Sequence, residues 1–98
     1  MYRRGRSVST RYLVLYWFPR EESEGPPRLG IAVPRSIGSS VVRNRIKRQV
    51  REAWRTRLPE ASADYVLVVR PGLPEGVDAR GFEWLTERVV EVLGKAAA

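Results

Sequence analysis

The chain contains no cysteine and no histidine. Without cysteine it has no disulfide framework, which suits a reducing compartment and gives the expectation of a cytoplasmic protein. Without either residue it cannot assemble a Ser-His or Cys-His nucleophile pair or a zinc site of the usual ligands. Acid–base chemistry would fall to eleven Asp and Glu residues, and none forms a close pair beside a cleft motif. No glycine-rich phosphate loop follows a predicted strand. Long apolar runs are also missing. The longest, Tyr12 to Phe18, is far too short to cross a bilayer, and Arg3, Arg4 and Arg6 lead into no apolar segment of the kind a secretory signal needs. By its own side chains the protein is read as non-catalytic, with no metal or cofactor of its own and no membrane partner.

What is present fits one small folded domain over residues 1–98. Apolar residues make up 43% of the chain and include three Trp and four Tyr, which argues against disorder and for one modest core. The formal net charge is +7, and it is placed rather than spread. Between Val41 and Arg57 lie seven basic residues and a single acid, Glu52. That stretch carries nearly the whole excess, and the rest of the chain is close to neutral.

The same stretch, Ser40 to Arg57, has the periodicity of an amphipathic helix. Val42, Ile46, Val50, Ala53 and Trp54 recur at the spacing of one helical face. At about 100° per residue, Asn44, Lys47, Arg48, Arg51 and Arg55 occupy the adjoining arc, with Arg45 farther round. Ser39 or Ser40 supplies an N-cap oxygen, Ile37 is placed to act as a hydrophobic staple, and Pro59 ends the helix. Solvated helix faces usually interleave charges of both signs. Here only Arg48–Glu52 and Glu52–Arg55 offer such pairing, so the remaining cations repel one another. A helix that tolerates this repulsion is one built to meet a polyanion.

Around the helix the sequence predicts three strands. Residues 1–7 read as a frayed basic terminus. Arg11–Phe18 reads as a strand with Leu13, Leu15 and Trp17 on one side and Tyr12, Val14, Tyr16 and Phe18 on the other. Residues 19–28 read as a polar hairpin connection. Arg28–Val33 is a second strand, in which Gly30 and Ala32 leave one face without bulk. Set beside Val14 and Tyr16, they would form a shallow trough. Residues 34–38 lead into the helix, and Asp64–Arg70 forms a third strand, parallel to the second. Residues 73–78 read as a loop. Residues 79–93 read as a helix burying Phe82, Leu85, Val89, Val92 and Leu93, followed by a fraying tail from Lys95. Residues 58–98 contain seven acids and four bases, which gives the expectation that this half faces away from a nucleic acid.

The run IGSSVVRNRIKRQVREAWR resembles the signature of the protein subunit of bacterial ribonuclease P. The matching positions are Arg43-Asn44-Arg45-Ile46-Lys47-Arg48, then Arg51, with Gly38 upstream; the resemblance extends over residues 2 to about 93 and is strongest at 30–55. It implies an α+β fold, a single αβ sandwich. Its small mixed sheet carries the basic helix in a strand-helix-strand crossover of left-handed sense, and an amphipathic helix ends the chain. It further implies that Arg43, Asn44, Arg45, Lys47, Arg48, Arg51 and Arg55 bind the catalytic RNA. Tyr2, Val14, Tyr16, Gly30, Ala32, Arg35 and Ser36 would receive the 5′ leader of precursor tRNA. Arg35 and Ser36 stand where the family carries a basic pair, so phosphate contact at Ser36 is expected to be weaker. Tyr2-Arg3-Arg4-Gly5 resembles the tail of the family's first helix, whose preceding part supplies one wall of the cleft.

On this resemblance the chain is a subunit of an endoribonuclease holoenzyme that matures tRNA 5′ ends. It has no catalytic residues and binds no metal itself, and Mg2+ is held mainly by the RNA. Its partners are the catalytic RNA and precursor tRNA, not DNA. The residues alone leave a second reading, a non-catalytic module of ribosomal-protein type that sets the same helix on a structured RNA. A DNA-binding helix-turn-helix fits less well, because strands rather than helices flank the basic helix.

Overall fold

A computed structural model describes residues 6–19, 28–56 and 63–97. Four strands form one mixed sheet: β1 (Arg6–Ser9), β2 (Leu13–Pro19), β3 (Arg28–Ala32) and β4 (Ala63–Val69). In space their order is β1-β2-β4-β3. β1 and β2 are antiparallel, as are β2 and β4, while β3 runs parallel to β4. Three helices complete the α+β fold, α1 (Ser40–Arg55), α2 (Leu73–Arg80) and α3 (Phe82–Ala97).

The core lies between one face of the sheet and the helices. Strand alternation sends Leu13 and Leu15 of β2, and Tyr65, Leu67 and Val69 of β4, into it. Helical spacing supplies the opposite wall, with Ile46, Val50, Ala53 and Trp54 from α1 and Trp84, Leu85, Val89 and Val92 from α3. Trp54 packs its ring against Tyr65 with centroids 5.2 Å apart, which fixes how α1 seats on β4. Burial pushes the Tyr65 hydroxyl above its ordinary pKa by desolvation.

Several expectations from the sequence are corrected. The amino-terminal segment is not frayed to Ser7: residues 6–9 pair with β2 in the register Arg6↔Trp17 to Ser9↔Val14. The strand expected from Arg11 is β2 and begins at Leu13, because residues 10–13 make the turn. Thr10 N–H donates to the Leu13 carbonyl at 2.8 Å, and the Thr10 hydroxyl accepts the Leu13 N–H at 3.2 Å. β2 and β3 are not a hairpin, since β4 lies between them; residues 20–27 of that connection lie outside the described residues, as does Pro59.

Residues 73–80 are a helix rather than a loop. Pro74 sits in its first turn, where a missing N–H costs nothing, and Gly72 enters with φ of 98°. Gly81, at φ of 91°, separates α2 from α3. Gly76 faces Trp84 so closely that a Cβ there would overlap the indole ring. Phe82, expected in the core, is 40% exposed, and Trp84 is buried in its place. The predicted fraying tail is helical through residue 97, and Lys95 Nζ donates to the Ser9 carbonyl at 2.7 Å.

Candidate nucleic-acid interface

Two surfaces with different chemistry emerge from this packing. The first is the outer side of α1. Ser39 caps the helix by accepting the Val42 N–H at 3.4 Å, and Thr56 closes it, its hydroxyl donating to the Ala53 carbonyl at 2.7 Å. With Ile46, Val50, Ala53 and Trp54 held in the core, Asn44, Arg45, Arg48, Arg51 and Arg55 are left exposed and Lys47 partly so. Arg43 is half-buried, and its Nε donates to the Gly38 carbonyl at 3.2 Å. It thereby ties the entry loop to the helix. Arg35 and Ser36, in a short 3₁₀ turn ahead of α1, are exposed.

Little opposes these charges. Arg55 lies 3.7 Å from Glu52 in a solvent-exposed pair, which contributes little to stability. Arg45 lies 3.8 Å from Asp78 of α2. That partner is invisible along the chain, because the pattern of residues 73–78 predicts a loop. Among the described residues, Asp78 thus supplies an ion pair from the acidic half to the basic helix. Lys47, Arg48 and Arg51 have no carboxylate partner among the described residues.

The second surface is the sheet face turned away from the helices. Its rows follow from the register. One crosses Ser7, Tyr16, Val66 and Gly30, and the next crosses Ser9, Val14, Val68 and Ala32. Phe18 pairs with Asp64, which pairs with Arg28, in the row beyond. Tyr16 is 40% and Phe18 is 37% exposed, while Val14, Val66 and Val68 are partly exposed. An apolar, partly aromatic floor open to solvent has the chemistry of a stacking platform for bases.

The structure brings Val14, Tyr16, Gly30 and Ala32 onto this one face, but not side by side. The two small residues are separated from Tyr16 and Val14 by the intervening β4, so they lie on the order of 10 Å away at the usual strand spacing. Val66 and Val68 form the middle of the floor, and reasoning from the sequence missed them. The signal was available in the alternation of residues 64–69, where Val66 and Val68 fall opposite the inward Tyr65, Leu67 and Val69. Among the described residues, a side chain at Gly30 would meet only Val66 Cγ2, at an ordinary 3.8 Å. The openness there comes from the missing side chain, not from a close neighbour. Tyr2 lies outside the described residues. Among the described residues, no group of three Asp or Glu is placed to hold a metal ion, and no helix is long and apolar enough to cross a membrane.

Comparison with known proteins agrees with this arrangement. A family model described as Ribonuclease P matches residues 1–97. The ribonuclease P protein component of Carboxydothermus hydrogenoformans is 38% identical over 73 residues, covering 74% of this chain and 63% of that one. The Clostridium novyi component is 41% identical over 68 residues, covering 69% of this chain and 60% of the relative. The match to these two therefore spans less than two thirds of their length. With the component from Brevibacillus brevis, identity is 34% over 99 residues, covering 98% of this chain and 74% of the relative. Among solved structures, the RNase P protein from Thermotoga maritima superposes with a TM-score of 0.81 at 29% identity, covering 93% of this chain and 83% of that one. The small mixed sheet, the basic helix between its parallel strands and the matching signature lead to one assignment: this chain belongs to the ribonuclease P protein family.

Proposed function

We propose that this chain is the protein component of a ribonuclease P ribonucleoprotein, which removes the 5′ leader from precursor tRNA. The α1 face, through Arg43, Asn44, Arg45, Lys47, Arg48, Arg51 and Arg55, binds the catalytic RNA along its phosphates. The open sheet face receives the single-stranded leader, with Tyr16 as a stacking platform, Val14, Val66 and Val68 as floor, Gly30 and Ala32 as the low side, and Arg35 and Ser36 at its end. Tyr2 is assigned to the same leader by its place in the family pattern. The observation that carries the reading is the coexistence of two unlike surfaces on one small domain, a row of largely unpaired cations on α1 and an uncovered aromatic–aliphatic sheet face.

Phosphodiester hydrolysis is assigned to Mg2+ held on the RNA. The protein's part is binding and orientation. The test is reconstitution with the cognate catalytic RNA and a precursor tRNA at low magnesium. Addition of this protein is expected to restore cleavage at the correct 5′ position. Binding to RNA without any gain in cleavage would favour a structural module of ribosomal-protein type instead.

A further inference from the structure

The carboxy-terminal half carries a net negative charge, yet the fold concentrates part of its positive charge at one end of the sheet. β3 and β4 run parallel and leave the sheet at the end where β2 begins, as the pairs Ala32↔Val68 and Leu13↔Val69 show. The β1–β2 turn sits at that end. Three cations converge on it from separate parts of the chain. Arg11 is in the turn itself, its guanidinium carbon 5.6 Å from the centre of the Tyr12 ring. Arg70 follows β4 directly; its N–H donates to the Tyr12 carbonyl at 3.0 Å and its Nη1 to the Thr10 carbonyl at 2.9 Å. Lys95, from the last turns of α3, donates to the neighbouring Ser9 carbonyl at 2.7 Å.

The Thr10 carbonyl is available to Arg70 because the Thr10 hydroxyl has taken the Leu13 N–H. The turn is thus built so that two adjacent carbonyls, Ser9 and Thr10, each hold one cation.

All three residues are exposed, and none has a carboxylate partner among the described residues. The nearest acids of α3 are engaged elsewhere. Glu91, one turn before Lys95, lies 3.3 Å from Arg88, and Glu87 lies 4.0 Å from the same residue. Arg88 also covers the Trp84 ring at 5.2 Å. Each cationic side chain of the trio is held by one contact, which limits the rotamer freedom given up on binding. Each keeps further N–H donors and its full charge. Unpaired cations gathered at one turn repel one another unless an anion joins them. Arg35, which follows β3, stands at the same end of the sheet.

We propose that Arg11, Arg70 and Lys95 form a second phosphate-binding patch, distinct from α1, which holds the phosphodiester backbone of the RNA strand lying on the open sheet face. The patch rests on the reading that a single-stranded leader occupies that face. Arg70 ties it to the floor, because in register it follows Val66 and Val68 along β4. A strand stacked on Tyr16 at the middle of the face leaves over this end, where its phosphates meet the trio. Base stacking would then set affinity along the floor, and the patch would set where the backbone exits.

The test uses the full chain carrying Arg11→Gln and Lys95→Gln, assembled with the catalytic RNA. Arg70 is kept because it braces the turn, and Gln at position 95 still has a donor for the Ser9 carbonyl. Affinities for precursor and mature tRNA are measured over a salt series. Removing two cations from a single strand's phosphates should reduce the salt slope for precursor by about 1.4, at about 0.7 per cation. If the affinities converge at 1 M salt, precursor binding falls on the order of 25-fold at 0.1 M by the same relation. Affinity for mature tRNA and for the catalytic RNA should stay within about twofold of wild type. Arg11→Glu with Lys95→Glu should deepen the fall in precursor affinity.

An unchanged precursor slope overturns the patch. So does an equal weakening of both tRNAs, or a defect confined to assembly, which would place the trio on the catalytic RNA. Absence of any precursor preference in the wild-type particle would instead overturn the leader reading itself.

Discussion

Replacing Tyr16 by Ala separates the sheet face as a binding floor from the sheet face as mere exposed surface. Tyr16 is 40% exposed and stands outside the buried core. Its cross-strand neighbours are Ser7 on β1 and Val66 on β4. Losing those pairings should cost roughly 0.2–1 kcal/mol of stability, since no core cavity is opened. Removal of a base–aromatic stack is worth about 1–3 kcal/mol, equivalent to a weakening of roughly 5- to 150-fold at 1.4 kcal/mol per decade. The assay is the ratio of precursor to mature tRNA affinity in the assembled ribonucleoprotein at one fixed salt concentration. Precursor affinity should fall by that factor while mature tRNA affinity holds, because only the precursor has a leader to stack. Tyr16→Phe keeps the ring and should retain most of the discrimination. Equal weakening of both substrates, or a fall in Tyr16→Phe as large as in Tyr16→Ala, would refute the stacking role.

The triple variant Arg45→Ala, Lys47→Ala, Arg48→Ala should weaken binding to the catalytic RNA and lower its salt slope by about one unit for each phosphate set free. Its melting temperature should hardly move, since the three side chains lie off the buried arc of α1; an unchanged affinity and slope would remove this face from the interface. Gly76→Ala and Gly94→Ala are opposite tests of the helical packing. Both replace glycine in a helix, a change worth up to about 1 kcal/mol in favour of alanine. At Gly76 the new Cβ meets the Trp84 ring, so overpacking of about 1–3 kcal/mol should prevail. At Gly94 nothing among the described residues lies within 4 Å, so the variant should be more stable in a denaturant titration.

The raised pKa of Tyr65 gives a prediction at alkaline pH. Its folded pKa lies above the unfolded value of about 10, so its contribution is fully present below that value and is lost as pH rises through the folded pKa. Denaturant titrations at a series of alkaline pH values should show a steeper decline of stability in wild type than in Tyr65→Phe; equal slopes would show that Tyr65 does not couple ionisation to unfolding.

The basic helix is legible in the sequence because everything that defines it is local. The apolar period selects the face carrying Ile46, Val50, Ala53 and Trp54. Ser39 caps the start, and the charged arc follows from geometry alone. The end is less legible, since Pro59 predicts a helix to Arg57 whereas α1 stops at Arg55 with Thr56 as its cap. The inward alternation of β2 and the parallel relation of β3 to β4 are readable for the same reason. Residues 73–80 are not, because proline and glycine there mark a helix start and a close approach rather than the loop they usually signal. Gly76 is explained only by Trp84, and nothing along the chain signals that the two meet.

By itself the sequence determined the α+β composition, the amphipathic helix with its cationic arc, and the family signature at residues 43–48, since each rests on periodicity or on adjacent residues. Only tertiary structure decided that β4 is inserted between β2 and β3. That insertion separates Tyr16 from Gly30 and makes Val66 and Val68 the floor. Only tertiary structure brought Asp78 to Arg45, and Arg70 and Lys95 to the turn that holds Arg11. The physical reason is the range of the interactions. Helical and strand periods are set by backbone geometry a few residues at a time. Strand order and the meeting of charges from distant segments are set by which arrangement buries the whole core at once, a property of the folded chain and not of any window along it.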